Sequence, residues 1–222
     1  VELYDATIDQ VVASGTTDEN GHIEFIYGIP IDSPVGEHSL VIRLTNVPEY
    51  VTFNEVHKTL EVYATTTLHV EVQVAEADRG DTVEIVATLT DDLSNWLEGC
   101  TVLFYAGDTP LGSQVTNTTG IAVFEWTVDN FVLGQQQIRA QFDASGYYHA
   151  SISNTESVGI YSNPSLNITV QSHARIGESV EIQAYLTDEN ELPLEGYTIT
   201  FYLNGVEAGT VTTDVNGRGS YT

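Results

Sequence analysis

Arg79-Gly80-Asp81-Thr82-Val83-Glu84-Ile85 returns later in the chain as Arg175-Ile176-Gly177-Glu178-Ser179-Val180-Glu181-Ile182, and Leu97-Glu98-Gly99 returns as Leu194-Glu195-Gly196. Gly80 and Gly177 stand 97 residues apart, as do Gly99 and Gly196. The register holds onward without a gap. Val102-Leu103-Phe104-Tyr105 becomes Ile199-Thr200-Phe201-Tyr202, and Gly120 becomes Gly217. Self-similarity at a fixed period identifies a repeat architecture before any single element is assigned. An earlier copy precedes these two. Val1-Glu2-Leu3-Tyr4 matches Val102 to Tyr105, and Thr16-Thr17-Asp18-Glu19-Asn20-Gly21 matches Thr212-Thr213-Asp214-Val215-Asn216-Gly217. Its second half continues at a spacing of 98, with Gly36 against Gly134 and Tyr63 against Tyr161. Leu68-His69-Val70-Glu71-Val72 then matches Leu166-Asn167-Ile168-Thr169-Val170.

Seams fall at Ala64 to Thr66 and Ser162 to Pro164, where small residues and a proline interrupt the patterns. The expected organisation is the C-terminal part of a domain over 1–64, a complete domain over 65–161, and the N-terminal part of a third over 162–222. Apolar residues alternate at period two throughout, which is the signature of half-buried strands. Inward positions in the middle copy are Leu68, Val70 and Val72; Val83, Ile85, Ala87 and Leu89; Val102 and Phe104. A short strand over Leu111 to Val115 follows, then Ala122, Phe124 and Trp126; Ile138, Ala140 and Phe142; Val158 and Ile160. The fold class expected is all-β: tandem Ig-like antiparallel β-sandwiches, with about seven strands in a complete domain. An inward position must stay apolar in every copy. Phe104 does so as Phe201 and Leu3, Phe124 as Tyr221 and Phe25, Ile138 as Leu40, and Phe142 as Leu44.

Composition narrows the partners. The 222 residues carry 32 acidic and 6 basic side chains, a formal charge of −26, and Lys58 is the single lysine. Nucleic acid and anionic membranes bind through Lys and Arg, so this surface repels both. Acidity favours solubility and draws cations, which suits divalent ions or a salty habitat. Cys100 stands alone and its counterpart is Tyr197, which points to packing rather than nucleophilic chemistry. No apolar run reaches the ~20 residues of a membrane span. No signal-peptide pattern is present and methionine is absent even at position 1, so a processed chain or a window of a longer protein is expected.

Gly177-Glu178-Ser179-Val180-Glu181-Ile182, Leu186-Thr187-Asp188, Pro193-Leu194-Glu195-Gly196, Thr198-Ile199-Thr200-Phe201 and the Thr-Thr-Asp-x-Asn-Gly hairpin at 212–217 together resemble the bacterial and archaeal Ig-like repeats of cell-surface proteins, of the invasin and intimin kind. The resemblance covers the whole chain. It implies an extracellular, multi-domain, non-enzymatic protein that projects from or coats a cell. The middle copy departs from the pattern, with Asn117-Thr118-Thr119-Gly120 at the hairpin and Asn95-Trp96 in place of Leu192-Pro193.

Few residues suggest chemistry. Asp18, Asn20, Asp214 and Asn216 offer oxygens at a spacing suited to calcium. The same residues build a tight turn, with Asp and Asn capping the backbone and Gly supplying positive φ, and the turn explains them more economically. Calcium is the one cofactor the sequence suggests. Acidic groups at Glu76, Asp78, Asp81, Asp91 and Asp92, and at Glu178, Asp188, Glu189 and Glu191, fit a solvated face better than an inter-domain cation. Asn117 and Asn167 head glycosylation sequons, whereas Asn163 is excluded by Pro164. His22, His38, His57, His69, His149 and His173 show no ligand spacing, and an isopeptide crosslink would be confined to Lys58. No nucleophile elbow, paired-carboxylate signature or phosphate loop is found.

The leading reading is a structural or adhesive surface protein whose repeats act as rod, spacer or coat. Its partners would be neighbouring Ig-like domains, copies of itself, or host-cell and matrix glycans and proteins. Alternatives are a filament subunit completed by strand exchange, although 1–27 and 199–222 duplicate one part of the repeat, and a non-catalytic appendage of a secreted enzyme. Loop aromatics near Ser94-Asn95-Trp96 and Asn130-Phe131 would serve a ligand-binding module. Half a sandwich leaves sheet edges and a core face open, so 1–64 and 162–222 are expected to need neighbouring sequence.

Overall fold

The structure is a computed structural model and describes residues 1–49, 52–128 and 133–222. Among these the chain is all-β and belongs to the tandem antiparallel β-sandwich class, with no helix. Its contacts divide it into two compact units, one of Val1–Val72, Glu84–Phe124 and Gln137–Glu156, the other of Gln73–Val83, Glu125–Gln136 and Ser157–Thr222. The first copy contributes β1 (Glu2–Asp5), β2 (Gln10–Ser14), β3 (Gly36–Arg43) and β4 (Val56–Val62). These form one antiparallel sheet in the order β2-β1-β3-β4. Then come β5 (Thr66–Val72), β6 (Glu76–Asp78), β7 (Thr82–Asp91), β8 (Thr101–Ala106), β9 (Thr109–Val115), β10 (Ile121–Thr127), β11 (Gly134–Phe142), β12 (Ser151–Ile152) and β13 (Glu156–Tyr161). β7 lies between β5 and β10, and β8 between β9 and β11. The last stretch holds β14 (Ser165–Val170), β15 (Ile182–Thr187), β16 (Thr198–Leu203), β17 (Val206–Thr212) and β18 (Arg218–Tyr221), as a β14-β15-β18 sheet and a β16-β17 pair.

Alternation places the core. Val70, Ile85, Ala87, Leu89, Val102, Phe104, Ile138 and Ala140 are all fully buried, and Phe142 nearly so. Each large side chain taken from water contributes roughly 1.5–3 kcal/mol, which offsets the ordering of a strand without a disulfide. In the other unit Val83, Val128 and Val158 are fully buried and Trp126 and Ile160 almost so, and Ala184, Ile199 and Phe201 form a smaller cluster flanked by Ile182, Leu186, Ala208, Val211 and Tyr221.

Three expectations change. Glu76–Asp78 is a short strand pairing in parallel with β13, and its three residues are too few to show alternation. Residues 22–28 carry no strand, although Phe25 matches Phe124: Ile23, Phe25 and Tyr27 still alternate as half-buried, but no described strand lies beside them to supply a hydrogen-bonded ladder. Leu44 is 40% exposed where its counterpart Phe142 is buried, so the first copy's inward face is less covered there.

Two turns share the same pattern of bonds. The turn at 117–120 joins β9 to β10, and the turn at 214–217 joins β17 to β18. Each joined pair lies in two different sheets, so the segment read as a hairpin is a corner between layers. At both corners the glycine carbonyl accepts a strand N–H, Leu89 to Gly120 at 2.9 Å and Leu186 to Gly217 at 2.8 Å. Buried Thr116 and Thr213 each accept a backbone N–H through Oγ1, from Cys100 and Tyr197, both at 2.9 Å. Ring stacking recurs too. Phe104 lies 5.1 Å from Phe124, and Phe201 lies 5.6 Å from Tyr221. A register shift follows Leu3, Phe104 and Phe201, a bulge at one point of all three copies.

Gly120 has φ +69°, and a Cβ there would lie 2.6 Å from the Leu89 carbonyl oxygen. Gly99, at φ +73°, faces open space. Gly120→Ala should therefore destabilise the chain by about 1–3 kcal/mol and by more than Gly99→Ala, because only the former adds a backbone clash to the conformational strain. Urea denaturation followed by tryptophan fluorescence measures both, and equal losses would refute the steric part.

Candidate functional site

The residues nominated for calcium sit in tight turns, the second pair at the corner between β17 and β18. Asp18 Oδ1 accepts the N–H groups of Asn20 at 2.9 Å and His22 at 2.8 Å. Asp214 Oδ1 accepts those of Asn216 at 2.8 Å and Arg218 at 2.9 Å. Hydrogen bonding to the charged carboxylate, foremost from the His22 and Arg218 amides, holds both aspartates below the usual carboxylate value. Asn117 does the same work in the middle copy, accepting from the N–H groups of Thr119 at 2.9 Å and Ile121 at 3.0 Å. The neutral amide replaces the carboxylate because a cap needs only one acceptor oxygen. Among the described residues no group of three or more His, Cys, Asp or Glu side chains is arranged to hold a metal ion. Of the sequon residues, Asn117 thus caps a turn, and Asn167 lies exposed on β14 opposite Tyr185.

The other departure at this corner has a packing explanation. A Cβ on Gly120 would lie 3.2 Å from the Trp96 ring, and one on Gly217 would lie 3.1 Å from Pro193. Trp96 and Pro193 each cover the corner glycine, although Trp96 remains 56% exposed. Asn130 and Phe131 lie outside the described residues.

Several of the acidic residues gather at the second seam. Arg79 Nη1 donates to Asp188 Oδ2 at 2.8 Å and lies 3.9 Å from Glu189 Oε1. Asp188 is buried, and its second oxygen accepts the N–H groups of Asn190 and Leu192. Glu189 accepts from Ser162 Oγ at 2.5 Å and from the Asn163 amide at 3.1 Å, while Asn163 Nδ2 donates to Asp78 at 2.8 Å. Burial acts to raise the Glu189 carboxyl, but hydrogen bonds led by Ser162 and the Arg79 charge outweigh it and hold it below its ordinary value. The sequence placed Asp78, Asp188 and Glu189 on a solvated face. Spacing alone could not show that Arg79, 109 residues before Asp188, folds back onto it.

The first seam uses different chemistry. Ala64 is buried, its N–H donates to the Tyr147 carbonyl, and its own carbonyl accepts from His149, both at 3.0 Å. The Tyr63 ring meets Tyr147 edge-on at 5.6 Å and stacks on His149 at 5.4 Å. Burial, the charges of Glu37 and Glu61, and a hydrogen bond to Glu37 push the Tyr147 phenol up.

His38 is the residue that sequence reasoning passed over. It is fully buried, with Nδ1 2.6 Å from Asp5 Oδ2 and Nε2 2.7 Å from the Pro34 carbonyl. Both ring nitrogens face acceptors, so both carry protons and the ring is an imidazolium paired with a carboxylate. Asp5, also fully buried, accepts in addition from the Thr7 amide at 2.9 Å and the Tyr27 hydroxyl at 3.0 Å. Burial disfavours each charge, yet the hydrogen bonds and the mutual attraction outweigh it, raising His38 and lowering Asp5. A signal existed: Asp5 and His38 both occupy inward phases of adjacent strands, where their counterparts are Ala106 and Gln136. The remaining nominees are bland. Cys100 is half-buried, and burial raises its thiol against an opposing interaction with Thr116. Lys58 is exposed on β4, His57 and His69 sit beside Glu55 and Glu71 on exposed surface, and His173 bonds Ser172.

No family model matches the sequence, and no curated protein sequence matches it. Solved structures with similarity include a Ca²⁺-stabilised, ice-binding adhesin of an Antarctic bacterium, at 15% identity and a TM-score of 0.32 over 83% of this chain and 48% of that one. The Escherichia coli adhesin FdeC is similar at 14% identity and a TM-score of 0.40, over 83% of this chain and 63% of that one. Trypsin-activated α2-macroglobulin of Escherichia coli is similar at 16% identity and a TM-score of 0.33, over 99% of this chain and 17% of that one. The chain thus spans less than two thirds of each.

The pH dependence of the Asp5–His38 pair follows from its two shifts. A raised His38 contributes stability that is complete below its unfolded value and lost as pH rises through the higher folded one; a lowered Asp5 contributes stability lost as pH falls through its folded value. Thermal unfolding of the first copy should be most stable between these limits. His38→Gln should cost about 3–5 kcal/mol by stranding a buried carboxylate. Adding Asp5→Ala should recover much of that loss and flatten the profile, and a double variant that keeps the wild-type profile would refute the assignment.

Proposed function

We propose that this chain is a non-enzymatic, structural or adhesive cell-surface element in which Ig-like copies over 1–64, 65–161 and 162–222 act in series as the rod, spacer or coat of a longer extracellular repeat protein. The observation that carries the reading is the second seam. Arg79 pairs with Asp188 and Asn163 donates to Asp78 across it, while Glu189 braces the joint through Ser162 and the Asn163 amide. A linker meant to flex freely would keep its polar groups in water, whereas this one spends them on its neighbours. The formal charge of −26 adds a surface on which like charges keep copies from collapsing onto each other.

One observation favours a filament subunit as the second reading. Leu166, Ile168 and Val170 on β14 are 52%, 66% and 48% exposed, whereas Leu68 and Val70 at matched positions are buried. Strands from another repeat would cover that face.

Spin labels at Glu71→Cys and Glu207→Cys, in a Cys100→Ser background, span the second seam. The reading requires a narrow distance distribution that broadens in Arg79→Ala. A wild-type distribution as broad as that of Arg79→Ala would overturn it.

A further inference from the structure

We propose that the cavity beside the second seam is a socket for a tyrosyl side chain, presented on a Gly-Tyr-Tyr-His loop of an Ig-like repeat like the one spanning Gly146–His149. The cavity measures about 300 Å³ and is lined by Gly134, Gln135, Tyr161, Ser162, Leu194 and Tyr197, among others. Its walls have counterparts at the first seam: Gly36, Glu37, Tyr63 and Ala64 stand 98 residues before the first four, and Leu97 and Cys100 stand 97 before the last two. There the corresponding space is filled. The Tyr147 ring lies 3.7 Å from the Cβ position of Gly36, meets Tyr63 edge-on, and is held by the backbone bond to Ala64. The loop at the first seam therefore touches the counterparts of three of these six wall residues, Gly36, Tyr63 and Ala64.

The second socket retains the parts that recognise an aromatic ring. Glycine at 134 leaves room against the wall, and its φ of +104° keeps that position unfavourable for larger residues. Tyr161 supplies an edge-to-face partner. Gln135 replaces Glu37; its Oε1 accepts from Ser157 at 2.7 Å and retains a second lone pair for a phenol hydroxyl. The volume is at the lower limit of small-ligand sites, which suits one aromatic side chain.

This inference rests on the repeat reading for its alignment, yet it fails separately, since the spin-label distances are measured without any peptide. The test titrates the isotope-labelled full chain with a synthetic peptide of sequence Asp143–Ala150, following amide shifts. Saturable shifts at Gly134, Gly159 and Leu194, on the order of millimolar, are expected. Binding should weaken roughly tenfold with Tyr161→Ala in the chain, survive Tyr161→Phe, and weaken roughly tenfold when the peptide carries Tyr147→Ala. Tyr161 is 48% exposed, so its removal leaves the core intact. In a Tyr147→Ala chain the same peptide should also shift Gly36. Absence of saturable shifts at the second seam, or equal binding by the alanine peptide, overturns the proposal.

Discussion

On β8, Val102, Phe104 and Ala106 leave water on one side of the backbone while its peptide groups stay paired with β9 and β11 on either edge. The other core strands depend on that double condition: alternate side chains are buried while the backbone groups between them stay paired in the sheet. The corners meet the second half of the condition. Thr116 and Thr213, the glycines at 120 and 217, and the caps Asn117 and Asp214 satisfy the amides that a strand would otherwise lose on crossing between sheets. The first copy solves a harder problem, since Asp5 and His38 place two charges in its interior. Each is tolerated because the other, with Pro34, Thr7 and Tyr27, completes its hydrogen bonds.

Seams show how an acidic chain uses scarce cations. With 6 basic residues against 32 acidic ones, carboxylates far outnumber the cations that can pair with them. Arg79 is committed to the buried Asp188, where attraction is strongest because water is excluded. The first seam needs no cation. It relies on tyrosine rings and on backbone bonds at Ala64, contacts that salt does not screen.

Most of the layer structure was legible in the sequence. Of the inward residues, Val83, Ile85, Phe104 and Ile138 are buried as their alternation requires, because burial on one face imposes period two directly on composition. The strand Glu76–Asp78, three residues long, carries no such imprint and was not legible, whereas residues 22–28 carry the imprint yet form no strand. Long-range polar contacts were the least legible. Nothing local to Arg79 points to Asp188, and His38 reveals itself only when Asp5 on the neighbouring strand is considered with it. The glycine-containing turns were recognised, but whether such a turn joins strands within a sheet or across two sheets depends on pairing that lies far away in sequence.

We propose that residues 65–161, one period of the repeat, unfold as one mechanical unit, although the densest contacts divide the chain through this span. Pulling single chains from their two ends tests this directly. The account predicts one cooperative event that releases 97 residues, about 330 Å of extended chain at ~3.4 Å per residue. Gradual lengthening without that step, or steps whose lengths match other spans, would contradict it.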